Sequence, residues 1–230
     1  MIATRNMIAG IALLMSATSA ISQETINRTI LGVDKSGSST FLYERHSADA
    51  AASYVNDYIA GLAPPHDLLM ISVGDTGMAE RDIHIRATVT ERRAANPRRM
   101  AEQFGGYFRA LPQLISHGAI APDDTTSLVE FFQSLEDICS EAPTRVILFS
   151  DAVEWSATVD GRAFLSGAAS LPTPSTSFLS GCHVEIHGVG QLREGLTSDG
   201  LERRLKPVWR SWLTEAGAES VRLTGSFTRF

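Results

Sequence analysis

A basic surplus is missing from this chain. Its 230 residues carry 20 lysines and arginines against 26 acidic residues, a formal charge of -6. That balance speaks against a general nucleic-acid binder, because such proteins neutralise phosphates with excess Lys and Arg. Long apolar runs are scarce too: after the first 22 residues every apolar stretch is broken by charge within strand length, so no stable membrane span is expected in the mature chain. The nucleophile elbow G-x-S-x-G, the Walker loop and the dinucleotide pattern G-x-G-x-x-G are all absent. With them go the usual signatures of α/β-hydrolases, NTPases and nicotinamide enzymes. No internal repeat or low-complexity linker divides the sequence, and 43% apolar residues fit one globular domain with a substantial core.

What is present begins with a leader. "MIATRNMIAGIALLMSATSAISQ" has Arg5 in a short basic region, an apolar core from Met7 to Met15 and small residues behind it. This predicts a signal peptide over 1–22, cut after Ala20 or Ser22, and a single domain over 23–230. The apolar core is about half of the ~20 residues that a spanning helix needs, and no cysteine stands near the cut to carry lipid. Export predicts a periplasmic or secreted protein. In such an oxidising compartment Cys139 and Cys182 are expected to pair, the alternative being two buried free thiols. Loop-closure entropy would make that pairing worth ~4 kcal/mol.

Short β-branched stretches bounded by Gly, Pro, Asp or Ser predict strands over 29–34, 67–74, 82–90, 144–150, 183–189 and 220–224. Helical spacing predicts helices over 47–62, 97–115, 126–139 and about 198–216. Ser47 serves as a cap, Pro97 stands in a first turn, Pro112 is an early stop and Pro207 a bend or restart. The order of elements predicts an α/β, doubly wound, Rossmann-like three-layer sandwich with a mostly parallel six-stranded sheet. A hairpin around "GDTGMAERD" makes the third strand an antiparallel edge. Residues 160–181, rich in Gly, Ser, Pro and Thr, form the least regular part, with room for a short helix. In this winding Cys139 ends a helix and Cys182 starts a strand on the same rim of the sheet, opposite the rim where ligands bind.

At the ligand rim stands "ILGVDKSGSST". Asp34, Ser36 and Ser38 follow an apolar strand in a turn that lets all three aim oxygens at one point, and hard oxygen ligands suit Mg²⁺, Mn²⁺ or Ca²⁺. Gly37 gives the backbone its turn. D-x-S-x-S is a weak pattern alone, but "DDTTSLVEFF" opens a later helix and "VILFSD" ends the next parallel strand at Asp151. Together, "VDKSGSS", "DDTTSLVEFF" and "VILFSDAVEWS" resemble the von Willebrand factor A-type (VWA) domain and its metal-ion-dependent adhesion site (MIDAS). The resemblance covers residues 27–225. It implies a VWA-like fold in which Asp34, Ser36 and Ser38 form the first motif, Thr126 the second and Asp151 the third. Thr126 is preferred over Thr125 because Leu128 and Phe131 then fall on the family's apolar positions. It further implies hydroxyl ligands from Ser36, Ser38 and Thr126, with Asp34 and Asp151 bound directly or through water. One coordination position is left for a carboxylate of a protein partner. The family's last motif is Thr-Asp-Gly; Ser150, Asp151 and Ala152 stand here, which keeps the aspartate and predicts a stiffer or reshaped loop. The competing use of the same residues is local, hydroxyls capping a turn and an aspartate bonding backbone amides.

Three other constellations compete. "HVEIH" puts His183, Glu185 and His187 on one face of a strand, where they could hold Zn²⁺ or Cu²⁺; lacking the helical H-E-x-x-H spacing, they are expected to hydrogen-bond into the helix layer. A haloacid-dehalogenase-type phosphotransferase needs D-x-D, and Ser36 replaces its second acid. "LERRLKPVWRSWLTEAG" offers a candidate partner surface in Arg203, Arg204, Arg210 and Trp209. Plain amphipathy, with Leu201, Leu205, Trp209 and Trp212 on the sheet, is the expected reading. The sequence thus reads as an exported, divalent-cation-dependent protein-binding module for adhesion or assembly, and not an enzyme. Its rivals are a metal-dependent or Asp-based hydrolase and a scaffold whose site holds no metal.

Overall fold

Strand β1 (Arg28–Asp34) runs through the middle of the sheet, parallel to β2 (His66–Val73) on one side and β4 (Thr144–Phe149) on the other. A strand covered on both faces has no wet side, so its residues read as a nearly continuous apolar run; every residue from Thr29 to Asp34 is buried. Beyond β2 lies β3 (His84–Val89), antiparallel; beyond β4 lie β5 (Cys182–His187) and β6 (Ser220–Thr224), both parallel. The order is β3-β2-β1-β4-β5-β6, a six-stranded sheet with five parallel strands and one antiparallel edge. This is the α/β class that the sequence predicts. The computed structural model describes residues 26–74, 82–193 and 200–227, so the predicted leader over 1–22 lies outside the described residues. No helix among the described residues is long and apolar enough to cross a membrane.

Helices α1 (Arg45–Ala60) and α2 (Pro97–Ser116) cover one face. Their apolar stripes meet Leu31, Val33, Met70, Ile147 and Phe149 of the sheet in one core. The opposite face carries α3 (Leu128–Gln133), α4 (Glu136–Glu141), α5 (Gly161–Ser166) and α6 (Leu201–Glu215). There Phe131, Phe132, Trp209 and Leu213 pack on Ile30, Leu148, Val184 and Ile186. The alternation of strand side chains sends successive residues into different cores.

Several boundaries differ from the sequence expectation. Helix α1 starts at Arg45, not Ser47: the Glu44 carbonyl accepts the Ala48 amide (3.0 Å), and Ser47 sits in the first turn donating to Glu44 Oε2 (3.4 Å). Helix α2 passes through Pro112 and ends at Ser116, because Phe108 and Leu111 are buried and Leu114 and Ile115 pack beside them, which outweighs one lost backbone bond. Helix α6 is likewise continuous through the exposed Pro207. The single helix expected over 126–139 is instead two, since Ser134 turns its hydroxyl back on the Phe131 carbonyl (2.6 Å) and Leu135 closes a tighter turn on Phe132. The irregular stretch does hold a short helix, α5, capped by the Asp160 carboxylate on the Ala163 amide (2.7 Å). Cys139 and Cys182 are disulfide-bonded on the rim where β5 begins, with Cα atoms 5.2 Å apart.

Candidate metal centre

After β1 the chain moves outward to β2, whereas after β3 and α2 it crosses back to β4. Connections from adjacent parallel strands diverge there and leave a crevice beyond their carboxyl ends. Asp34 is the last residue of β1, and Asp151 follows β4 by two residues. Asp34 is wholly buried; its Oδ1 accepts the Ser36 amide (2.8 Å) and its Oδ2 the Ser150 hydroxyl (2.5 Å). Ser36 Oγ lies 3.2 Å from Ser38 Oγ and 3.1 Å from Ser39 Oγ. The turn is pinned from outside: the Lys35 amide donates to Val73 O (3.0 Å), Gly37 N to Asp123 O (3.2 Å), and Asp123 N to Lys35 O (2.9 Å).

Those last two bonds hold the α2–α3 loop against the β1 turn and so deliver Thr126. Thr126 is buried and exchanges both backbone hydrogen bonds with Trp155, at 2.7 and 3.0 Å. With Ser36 and Ser38 it lines a cleft of about 260 Å³. Thr125, the alternative, does not line it, although its Oγ1 is buried without a hydrogen-bond partner. Asp151 is 2% exposed; Oδ1 accepts the Val153 amide (2.9 Å), while Oδ2 is buried with no hydrogen-bond partner. Burial pushes this carboxyl up to about 7, the nearby Asp34 charge adds to it, and the Ser38 hydroxyl and Val153 amide offset only part. Burial raises Asp34 as well, against hydrogen bonds from Ser150, Ser36 and Ser39. Asp34, Ser36, Ser38, Thr126 and Asp151 are thus brought to one corner of the fold.

Two buried carboxylates, one with an orphaned oxygen, and a set of hydroxyls fit a hard divalent cation chemically. Among the described residues no group of three or more His, Cys, Asp or Glu side chains is placed to hold a metal, so a cation here would depend on hydroxyl oxygens. The nearest ammonium is committed elsewhere: Lys35 Nζ reaches Asp82 (2.5 Å), Asp123 (3.2 Å) and Ala121 O (3.3 Å). Sequence reasoning passed over this clamp, although Lys35 occupies the variable position of the motif. It also missed Ser39 and Glu154. Glu154 is buried, accepts the Val129 amide (3.1 Å) at the start of α3, and is pushed up to about 7 by burial. Nothing periodic marks that residue in the sequence.

The residue after Asp151 has an unusual backbone. Ala152 has φ +62° and no exposed surface, so a residue with a Cβ occupies the left-handed region that glycine takes freely. Its carbonyl accepts the Trp209 indole N–H (2.8 Å). This corrects the candidate partner surface: Trp209 is 0% exposed and belongs to the core, because its ring fills the interface of α6 with the sheet. Trp212 is buried beside it, its indole on Pro172 O (2.6 Å). Arg203 and Arg210 are exposed and Arg204 half-buried; Arg210 already donates to Val221 O (2.9 Å).

The "HVEIH" group reaches the helix layer through Tyr54, whereas its partners Arg145 and Ser220 lie within the sheet, on β4 and β6. Glu185 accepts Tyr54 OH of α1 (2.9 Å) and Arg145 Nη1 (2.8 Å), and lies 3.5 Å from His187 Nε2. Burial by itself would raise this carboxyl, but His187, Tyr54 and Arg145 bring it down to about 2. His187 is wholly buried beside the rings of Tyr54 and Phe149, and His183 Nδ1 pairs with Ser220 Oγ at 2.9 Å. The three side chains do not converge on a shared open position.

No protein-family model and no curated protein matches the chain. Solved structures do match in backbone trace. A von Willebrand factor type A protein from Catenulispora acidiphila is 14% identical with a TM-score of 0.40, over 79% of this chain and 36% of that one. The pilus adhesin SpaC from Lactobacillus rhamnosus GG, in its open conformation, is 12% identical with a TM-score of 0.45, over 89% of this chain and 28% of that one. An aerotolerance-related membrane protein from Bacteroides fragilis NCTC 9343 is 13% identical with a TM-score of 0.40, over 86% of this chain and 91% of that one. This chain therefore spans about a third of the length of the first two. At such identities the likenesses concern fold alone, and the fold class itself rests on the strand order and register.

Proposed function

We propose that the protein is a divalent-cation-dependent binding module that captures an acidic side chain of a protein partner at the carboxyl end of its sheet. The observation that carries this reading is the buried Asp151 Oδ2 without a hydrogen-bond partner, close to Asp34 and to Ser38, whose neighbours Ser36 and Thr126 line a cleft with it. An ionised carboxylate buried this way is costly unless a cation or proton compensates it. Mg²⁺, Mn²⁺ or Ca²⁺ would supply the compensating charge and, with few anionic ligands, would keep affinity for a further carboxylate. The protein's own residues fix the donors: Ser150 and the Ser36 amide orient Asp34, the Val153 amide orients Asp151, and the Trp155 bridge holds Thr126. This is a binding role without a chemical step. A periplasmic or secreted location accords with the leader in the sequence and with the Cys139–Cys182 disulfide.

Calorimetric titration of chelator-treated protein with each ion tests it, beside Ser36→Ala and Asp151→Asn. Saturable binding in the parent that both variants lose supports the reading. A folded parent that binds none of the three ions refutes it.

A further inference from the structure

One side of the cleft differs in character from the hydroxyl side. Trp155 is 38% exposed, one of two large apolar side chains left exposed among the described residues; the other, Ile85, lies away on the edge strand β3. Val153, Leu165 and Leu192 line the same cleft, as do Asp124 and the Lys35-paired Asp123. Trp155 is held from two directions. Its backbone is paired with Thr126, and its ring rests on Gly161 at the start of α5, where an added Cβ would come within 2.5 Å of the ring. An exposed indole fixed in this way has already lost most of its freedom, so a partner gains the contact without ordering it.

We propose that the cleft reads the neighbours of the partner's acidic residue: it takes an extended protein segment in which a carboxylate is flanked by a large apolar side chain. The carboxylate goes to the hydroxyl end of the cleft, and the apolar side chain lies on Trp155 and Leu165. The proposal rests on the cation reading for its polar half. The same lining includes Asp123 and Asp124 and no basic side chain, so the attraction for a carboxylate is the cation's alone and places it at the hydroxyl end; an apolar residue there would strand buried polar atoms, and a carboxylate on the indole side would lose its water for no partner. Aromatic or branched apolar residues suit the surface best, since indole faces gain from both burial and ring contact.

The test uses three blocked peptides, Gly-Phe-Asp-Phe-Gly, Gly-Ser-Asp-Ser-Gly and Gly-Phe-Asn-Phe-Gly, titrated into ¹⁵N-labelled protein with Mg²⁺ while the Trp155 indole signal is followed. The Phe-Asp-Phe peptide is expected to bind on the order of tenfold more tightly than the Ser-Asp-Ser one, and more tightly than the Phe-Asn-Phe one. Trp155→Ala should erase the preference for phenylalanine. Gly161→Ala should weaken it by displacing the ring, and this variant should bind Mg²⁺ like the parent in calorimetry. Mg²⁺ binding with equal affinity for the Phe-Asp-Phe and Ser-Asp-Ser peptides, or a preference that survives Trp155→Ala, overturns the apolar half alone. Absence of Mg²⁺ binding in the folded parent overturns the cation reading beneath it.

Discussion

Glu185 on β5 and Asp151 just beyond β4 are both buried carboxylates, 5% and 2% exposed, on neighbouring strands of one sheet. Glu185 faces Arg145, Tyr54 and His187 and is brought down to about 2; Asp151 faces Asp34, has an orphaned oxygen and is pushed up to about 7. Burial is common to the two, so it cannot be what separates them. The difference lies in what the fold places within reach. A carboxylate supplied with donors is a structural tie, and one left short of positive charge carries a cost that a bound cation or proton would offset.

The comparison can be broken most forcefully at Glu185. Replacing it with Ala strands Arg145 and the Tyr54 hydroxyl, and urea unfolding should show a loss of about 3 kcal/mol, as for other buried pairs deprived of one partner. Asp151→Asn should act in the opposite sense: without added cation at pH 8 the variant should unfold at higher urea than the parent, because an ionised group held above its ordinary value is removed. The parent, but not the variant, should then gain stability when Mg²⁺ is added.

The two sites should also part company with pH. A depressed acid such as Glu185 lends stability that is fully present above its ordinary value of 4.5 and is lost as pH falls through about 2. The raised Asp151 works the other way in cation-free protein. Its ionisation penalises the fold above about 7, and the penalty is gone below its ordinary 3.8. Because a cation must displace that proton, Mg²⁺ affinity should fall about tenfold per pH unit below about 7, measured by calorimetry between pH 5 and 8. The smallest effect belongs to Ala152→Gly. Relief of the left-handed backbone exceeds the loss of one buried methyl, so a net gain of about 0.5 kcal/mol is expected in urea unfolding, with Mg²⁺ affinity unchanged.

Much of the fold was legible because it is written in short periods. "RTILGVD" and "TRVILF" each hold an unbroken apolar run of four residues, ILGV and VILF, which marks strands covered on both faces, and "HIRATV" alternates with charge, which marks an edge. The positions of Asp34, Ser36, Ser38 and Asp151 were legible from their place at strand ends. Thr126 was assigned to a helix and instead lies before one, because its backbone bonds go to Trp155, 29 residues away along the chain by sequence number. Trp209 lies in the core, as plain amphipathy led one to expect, and its alternative use as a partner surface falls away; one helix pattern allows both an amphipathic face and a docking face.

The sequence by itself determined the α/β winding, the disulfide partners and the strand ends that bear the oxygen-rich turns. These follow from local propensity and from the handedness of parallel connections, which each segment carries within itself. Only the tertiary structure decided which buried carboxylates are compensated, which indole stays exposed above the cleft, and how Lys35 is spent on Asp82 and Asp123. Those outcomes depend on contacts between residues far apart in the chain, and electrostatic cost depends on the completed surroundings rather than on residue type.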